Sequence, residues 1–257
     1  MNNASERRHA MVERARKTGY VPSKIVEDEF GVDSSTIRRD LARLEAEGLI
    51  IRTQGGFLPV ERKENHTYPY GPRRLVRPSV KNHLGEYAAN LVEEGQTVMI
   101  DGGSTMWHVA NHLKSTRNLT VITNDLQIGL LLCEWTNINL HVTGGAQVDG
   151  LYTLAGPATV EFVDRIHVDV AFLGAEAVEA ELGLSDVNVL EVPVKQAMIR
   201  AADCAVLVAD SSKFGKRSFA KVCGVEELTQ IVTDGQVTPE QRGAFGRKLE
   251  IVNVNCE

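Results

Sequence analysis

Apolar residues return every three or four positions in some stretches of this chain and form short unbroken runs in others. Ile37, Leu41 and Leu44 are spaced i, i+4, i+7, which predicts a helix with one buried stripe. Thr36, Arg38, Arg39 and Arg43 fall off that stripe, mostly near its N-terminal end. Ser34 and Ser35, after a tight turn at Gly31-Val32-Asp33, are short polar residues of the kind that cap a helix. Gly48 is placed to close the helix, and Leu49–Gly56 reads as a short strand, carrying Arg52, that runs into a Gly-Gly hairpin. Upstream, Glu6 to Lys17 reads as a first helix offering Met11 and Val12 to a core. Pro22 then stands at the first turn of a short second helix with Ile25, Val26 and Phe30. Helix, turn, helix and β wing in that order make a winged helix-turn-helix, whose second helix enters the DNA major groove with its first residues at base edges. Ser34, Ser35, Thr36, Arg38, Arg39, Arg43 and Arg52 are the candidate contacts to double-stranded DNA. Lys24 can reach a phosphate or be plain surface.

Beyond residue 80 the period changes. Leu84, Ala88 and Leu91 give a helix ending near Gly95, and short apolar runs of the buried parallel-strand kind follow. They lie at Thr97–Asp101, Leu119–Thr123, Ile138–Thr143, Val168–Leu173, Ala205–Ala209 and Gln230–Thr233. Met106–Lys114, Leu126–Glu134, Pro157–Arg165 and Val192–Ala202 can be helical between them. Strand and helix in alternation predict an α/β domain with a mostly parallel sheet. The chain therefore divides into a winged helix-turn-helix over 1–58, a linker over 59–79 and an α/β domain over 80–257. The linker holds Pro59, Pro69, Pro72 and Pro78 with Arg73, Arg74 and Arg77, so it reads as extended and fairly stiff. Its arginines touch DNA backbone or solvate the hinge.

Charge sharpens this division. The net −6 of the whole chain argues against nucleic acid, but it is unevenly spread. Residues 1–81 carry 16 Lys/Arg against 11 Asp/Glu, and residues 82–257 carry 12 against 23. The reader is thus +5 and the rest −11, with the basic excess where phosphate contact needs it. So modest an excess suits a homo-oligomer, dimer or tetramer, that sums contacts at a specific site. At 257 residues and 43% apolar the chain can hold one small and one mid-sized domain. It has no apolar run of 18 residues, and its charged N-terminus lacks a signal core, so no membrane partner and a cytoplasmic location are expected. Cys133, Cys204, Cys223 and Cys256 are scattered without metal spacing, so free thiols, no metal and no cofactor are expected.

Ligands of open α/β sheets gather where strands end. Asp101-Gly102-Gly103-Ser104-Thr105 leaves the first strand and enters a helix; its glycines, hydroxyls and helix N-terminus suit a phosphate. Thr123-Asn124-Asp125, Gly144-Gly145 and Asp210-Ser211-Ser212-Lys213 leave later strands.

TIRRDLARLEAEGLI followed by RTQGG resembles the N-terminal reader of the DeoR family of bacterial transcriptional regulators, with Gln54 where histidine is common in the wing. DGGST, VITN, Gly144-Gly145, Glu191 with Lys195, and ADSSKFG resemble that family's effector domain, which shares its fold with ribose-5-phosphate isomerase. Together the resemblance spans about residues 5 to 250. It implies a repressor of a carbohydrate-utilisation operon, released by a phosphorylated sugar effector. It also implies that Asp101, Gly103, Ser104 and Thr105 hold the phosphate, that Thr123, Asn124, Gly144, Gly145, Glu191 and Asp210 line the crevice, and that Lys195 and Lys213 are the cations. The rival is a sugar-phosphate isomerase-type enzyme that retains a DNA-binding domain, with Glu176, Asp186 or Glu191 as its base. The reading taken is a non-enzyme. A purely architectural DNA binder would not need the large second domain.

Overall fold

Ile37, Leu41 and Leu44 are all buried, and with Met11, Val26, Ile50 and Phe57 they build one small core. They belong to the first of two units, Met1–Pro78 and Ser79–Glu257, of a computed structural model that describes residues 4–46, 49–59 and 76–254. In the first unit α1 (Ala4–Thr18), α2 (Ser23–Phe30) and α3 (Ser34–Ala46) stand with β1 (Val21–Pro22), β2 (Ile50–Thr53) and β3 (Gly56–Pro59). The three strands pair antiparallel in the order β1-β3-β2. Ile25 is exposed, because Val26 and Phe30 already fill the buried side of so short a helix. Pro22 occupies the cap position of α2, one residue ahead of its first turn. Gly48 and linker residues 60–75, with Arg73 and Arg74, lie outside the described residues.

The two glycines of the wing do different work. Gly55 takes φ +93° in the turn, whereas Gly56 is already in β3, opposite Thr53 and Pro22. A Cβ at Gly56 would fall 2.4 Å from the Val21 carbonyl and 2.6 Å from the Tyr20 ring, so only glycine lets the wing close against β1.

In the second unit seven strands form one parallel sheet. They are β4 (Thr97–Ile100), β5 (Leu119–Thr123), β6 (Ile138–Val142), β9 (Val168–Leu173), β12 (Ala202–Val208), β14 (Gln230–Asp234) and β15 (Leu249–Val252), in the order β15-β14-β12-β9-β4-β5-β6. Alternate residues face opposite layers: Val98 and Ile100 join one core and Met99 the other, as do Val170 and Phe172 against Ala171 and Leu173. The first layer holds α4 (Pro78–Ala89), α5 (Ser104–His112) and α6 (Leu126–Leu132); the second holds α7 (Pro157–Val163) and α8 (Val192–Ala201). Hairpin β7 (Ala146–Gln147) and β8 (Leu154–Ala155) and a small sheet of β10 (Ala177–Glu179), β11 (Gly183–Asp186) and β13 (Ala220–Cys223) are additions the apolar runs do not announce. So are β15 and a last helix, α9 (Pro239–Phe245). Strand order reverses between β4 and β9, and that switch point fixes the crevice. No described helix is long and apolar enough to cross a membrane.

Candidate DNA interface and ligand crevice

Recognition helix α3 is capped by Asp33, not by Ser34 or Ser35 as expected. Its Oδ1 accepts the Thr36 N–H at 2.8 Å and its Oδ2 the Thr36 hydroxyl at 3.3 Å. Both serines are already helical, because the longer aspartate reaches the free N–H groups from one residue further out. Hydrogen bonds from Ser35 and Thr36 hold the Asp33 carboxyl down at about 2. Ser34, Ser35, Arg38, Arg39 and Arg43 are exposed along α3, and Thr36 is half-buried. Arg39 folds back on its own first turn, its Nε donating to the Ser35 carbonyl at 3.3 Å. On the wing, exposed Arg52 lies 3.6 Å from Glu45. Asp40 turns inward instead, and Arg7 at 2.7 Å and Arg8 at 3.2 Å clamp it, tying α3 to α1 through a buried charge cluster. Lys24 is paired with Glu27 and Asp28 on its own helix.

In the second unit the switch point is occupied by a buried ion cluster. Asp101, at the end of β4, is 1% exposed, and Lys195 of α8 is 4% exposed. The Lys195 ammonium donates to Asp101 Oδ2 at 2.6 Å and to the Gly174 carbonyl at 2.9 Å, and lies 3.4 Å from Asp186. The same Asp101 oxygen accepts the Gly174 N–H at 3.0 Å, which stitches the exits of β4 and β9. Burial alone would depress the Lys195 pKa, but the charges of Asp101, Asp186 and Glu191 hold it above its ordinary value. Lys195 is thus committed to carboxylates.

The glycine loop runs from this cluster into α5. Gly103, at φ +120°, caps the helix and donates its N–H to Asp125 Oδ2 at 3.1 Å. Ser104 is buried, and its Oγ accepts from the ammonium of Lys81 at 3.0 Å, while Thr105 is half-buried in the first turn. Lys81 is 5% exposed and was not among the expected cations. The signal that could have found it is its place on α4, on one stripe with the buried residues Leu84, Gly85 and Ala88.

Asp125 does more than cap a helix. Its Oδ1 does cap α6 through Gln127 and Ile128, yet its other oxygen reaches the glycine loop. Burial raises its pKa, against three backbone N–H groups that lower it. Around it the β5 exit pairs with the hairpin: Asn124 Nδ2 donates to the Leu154 carbonyl, and the Leu126 N–H donates to that of Tyr152. Thr153 comes so close that a Cβ on Gly102 would sit 2.5 Å from its hydroxyl.

The other expected residues divide. The Thr123 hydroxyl accepts the Asp125 N–H, so it serves the local turn. Gly145 packs against α7, where a Cβ would meet the Thr159 hydroxyl at 2.1 Å, whereas Gly144 faces open space. Asp210 caps the Ser211–Lys213 turn through the Ser212 N–H. Lys213 lies 3.2 Å from Glu176, two residues past Gly174, so these two groups sit at the neighbouring exits of β12 and β9. Glu191 is buried at the cap of α8.

A winged helix-turn-helix with an exposed arginine-bearing helix, followed by an α/β unit with a cation-lined glycine loop, is the build of a DNA-binding transcriptional regulator. Residues 7–63 match the DeoR-like helix-turn-helix domain and residues 77–235 match the DeoR C terminal sensor domain, and the chain belongs to the DeoR family. It is 33% identical over 238 residues to the HTH-type transcriptional regulator GlpR of Haloferax volcanii, covering 93% of this chain and 92% of that one. It is 27% identical to the glycerol-3-phosphate regulon repressor of Escherichia coli, covering 90% of each. Ribose 5 phosphate isomerase A from Neisseria gonorrhoeae is a structural neighbour with a TM-score of 0.40 and 17% identity, over 59% of this chain and 57% of that one.

Proposed function

We propose that this regulator is a cytoplasmic repressor that works as a homo-oligomer on operator DNA and is released by a phosphorylated sugar or polyol. The carrying observation is the Lys81 ammonium, buried 3.0 Å from Ser104 Oγ at the N-terminus of α5. A cation, a hydroxyl and free helix N–H groups converge there, which is what a phosphate requires. Ser104 and Thr105 supply the loop contacts, Lys81 the near cation and Lys213 a second cation from the β12 exit. Lys195 and Asp101 act as the frame that holds the loop, with Asn124 and Gly144 toward the crevice. The name of the Escherichia coli relative, a glycerol-3-phosphate regulon repressor, fits both the sign of regulation and the ligand class. Catalysis is not proposed, because Glu176 at the β9 exit lies against the ammonium of Lys213 rather than standing ready as a base.

Thermal melting with a panel of sugar and polyol phosphates, beside their dephosphorylated counterparts, tests this reading. A ligand at 100 times its Kd should stabilise the sensor by about 2.7 kcal/mol, and Lys81→Ala should abolish the shift. Equal response to a sugar and its phosphate overturns it.

A further inference from the structure

We propose that α6 and the edge strand β6 form the face on which a second copy of this chain docks. Strand β6 ends the seven-stranded order, and among the described strands it pairs with β5 alone, so its outer backbone groups face outward. Four exposed apolar side chains gather beside it: Leu126, Leu130, Val142 and Tyr152. Leu130 is 61% exposed, the largest value in this group, and Leu126 lies one turn before it. The segments that carry them adjoin. A Cβ built on Gly129 would lie 2.9 Å from Val142 Cγ2, and the Leu126 N–H donates to the Tyr152 carbonyl at 3.0 Å.

Charge selects the occupant. Residues 82–257 carry 12 cations against 23 anions, so two copies repel over most of their surfaces. From Leu126 to Ala155, through α6, β6 and the hairpin, the only Asp, Glu, Lys or Arg are Glu134 and Asp149. This is therefore the strip where like can meet like. Exposed sheet edges are ordinarily guarded by charge, proline or a bulge. The opposite edge, β15, carries exposed Glu250, whereas β6 reads Ile-Asn-Leu-His-Val. A two-fold axis beside β6 would set the strand antiparallel to itself, satisfy its outer N–H and C=O groups and bring the leucines of both copies together. An interface of standard size takes roughly 20–30 residues a side, and α6, β6 and the hairpin are of that scale.

This deepens the proposed self-association, and the test separates the two. Light scattering on the full chain at micromolar concentration should give at least twice the 28.2 kDa monomer mass. Leu126→Glu/Leu130→Glu should run as a monomer with unchanged circular dichroism. Leu130→Ser, a milder change at an exposed site, should raise the concentration at which half the protein assembles by tenfold or more. Leu190→Glu, an exposed apolar position outside α6, β6 and the hairpin, should leave assembly intact. Assembly that survives both Leu130 variants overturns this face and leaves self-association standing. A monomeric wild type overturns both and leaves the strip to a different protein.

Discussion

The Asp125 carboxylate spans two segments: one oxygen caps α6, and the other accepts the Gly103 N–H at 3.1 Å, 22 residues away in sequence. The glycine loop is thereby held by an anion before any ligand arrives, and the donors left for a phosphate are those further into α5. Asp125→Ala should cost about 1–3 kcal/mol, because three backbone N–H groups lose their acceptor. Burial raises the folded-state pKa of Asp125. Its contribution to stability is therefore complete below its unfolded pKa and is lost as pH rises through the folded value. The stability difference between wild type and Asp125→Asn should accordingly shrink from acid toward neutral pH in urea titrations, and a flat difference would refute the assignment.

Lys195 behaves in the opposite way. Its folded-state pKa lies above its unfolded value, so its stabilisation is complete below about 10.4 and is lost only at more alkaline pH. Lys195→Met strands Asp101 and Asp186 as buried, uncompensated carboxylates, and should cost about 3–5 kcal/mol at neutral pH. Chemical denaturation of wild type and variant at neutral pH reads the loss, and a variant as stable as wild type would contradict it.

On the reader, Arg38→Ala/Arg39→Ala should leave melting unchanged and weaken operator binding. A lost bidentate base contact is worth about 1–3 kcal/mol, and a lost phosphate contact flattens the salt slope by about one unit. Asp40→Ala should reverse this pattern: breaking the buried Arg7–Asp40 pair should cost about 3–5 kcal/mol of stability in the first unit. Binding titrations at matched salt, set beside thermal melts, separate the two. Wild-type affinity in the double arginine variant would move the interface off α3.

Adjacent glycines at the β6 exit give a sharper contrast. Gly145→Ala meets the Thr159 hydroxyl from a backbone at φ +133°, and should destabilise by about 1–3 kcal/mol. Gly144→Ala enters open space and should stay within about 0.5 kcal/mol. Similar costs for both would show that the close approach is relieved in solution.

Six of the seven parallel strands were readable as short apolar runs, five of them largely buried and β6 half-exposed at the sheet edge. The exception, β15, has Glu250 in its middle and sits at the sheet edge. Strands β7, β8, β10, β11 and β13 are two to four residues long, too short to show a period of two. The start of β12 was hidden for another reason: Ala201-Ala202 continues a good helical sequence, and only the pairing of Ala202 with Val168 ends it. The site shows the same division. Its glycine turn is local, whereas Lys195 meets Asp101 across 94 residues and Lys81 meets Ser104 across 23, on helices read only for their apolar faces. Three consecutive residues could each have capped α3, and sequence does not choose among Asp33, Ser34 and Ser35.

The Arg7–Asp40–Arg8 clamp bears on how such a reader can change over generations. It fixes the roll of α3 about its own axis from the buried side, independently of what the exposed side carries. Arg38 and Arg39 can then be exchanged one at a time without disturbing the scaffold that presents them. A lineage built on this frame can acquire new operators by drift at a few exposed positions, while the inner face that orients them stays under constraint.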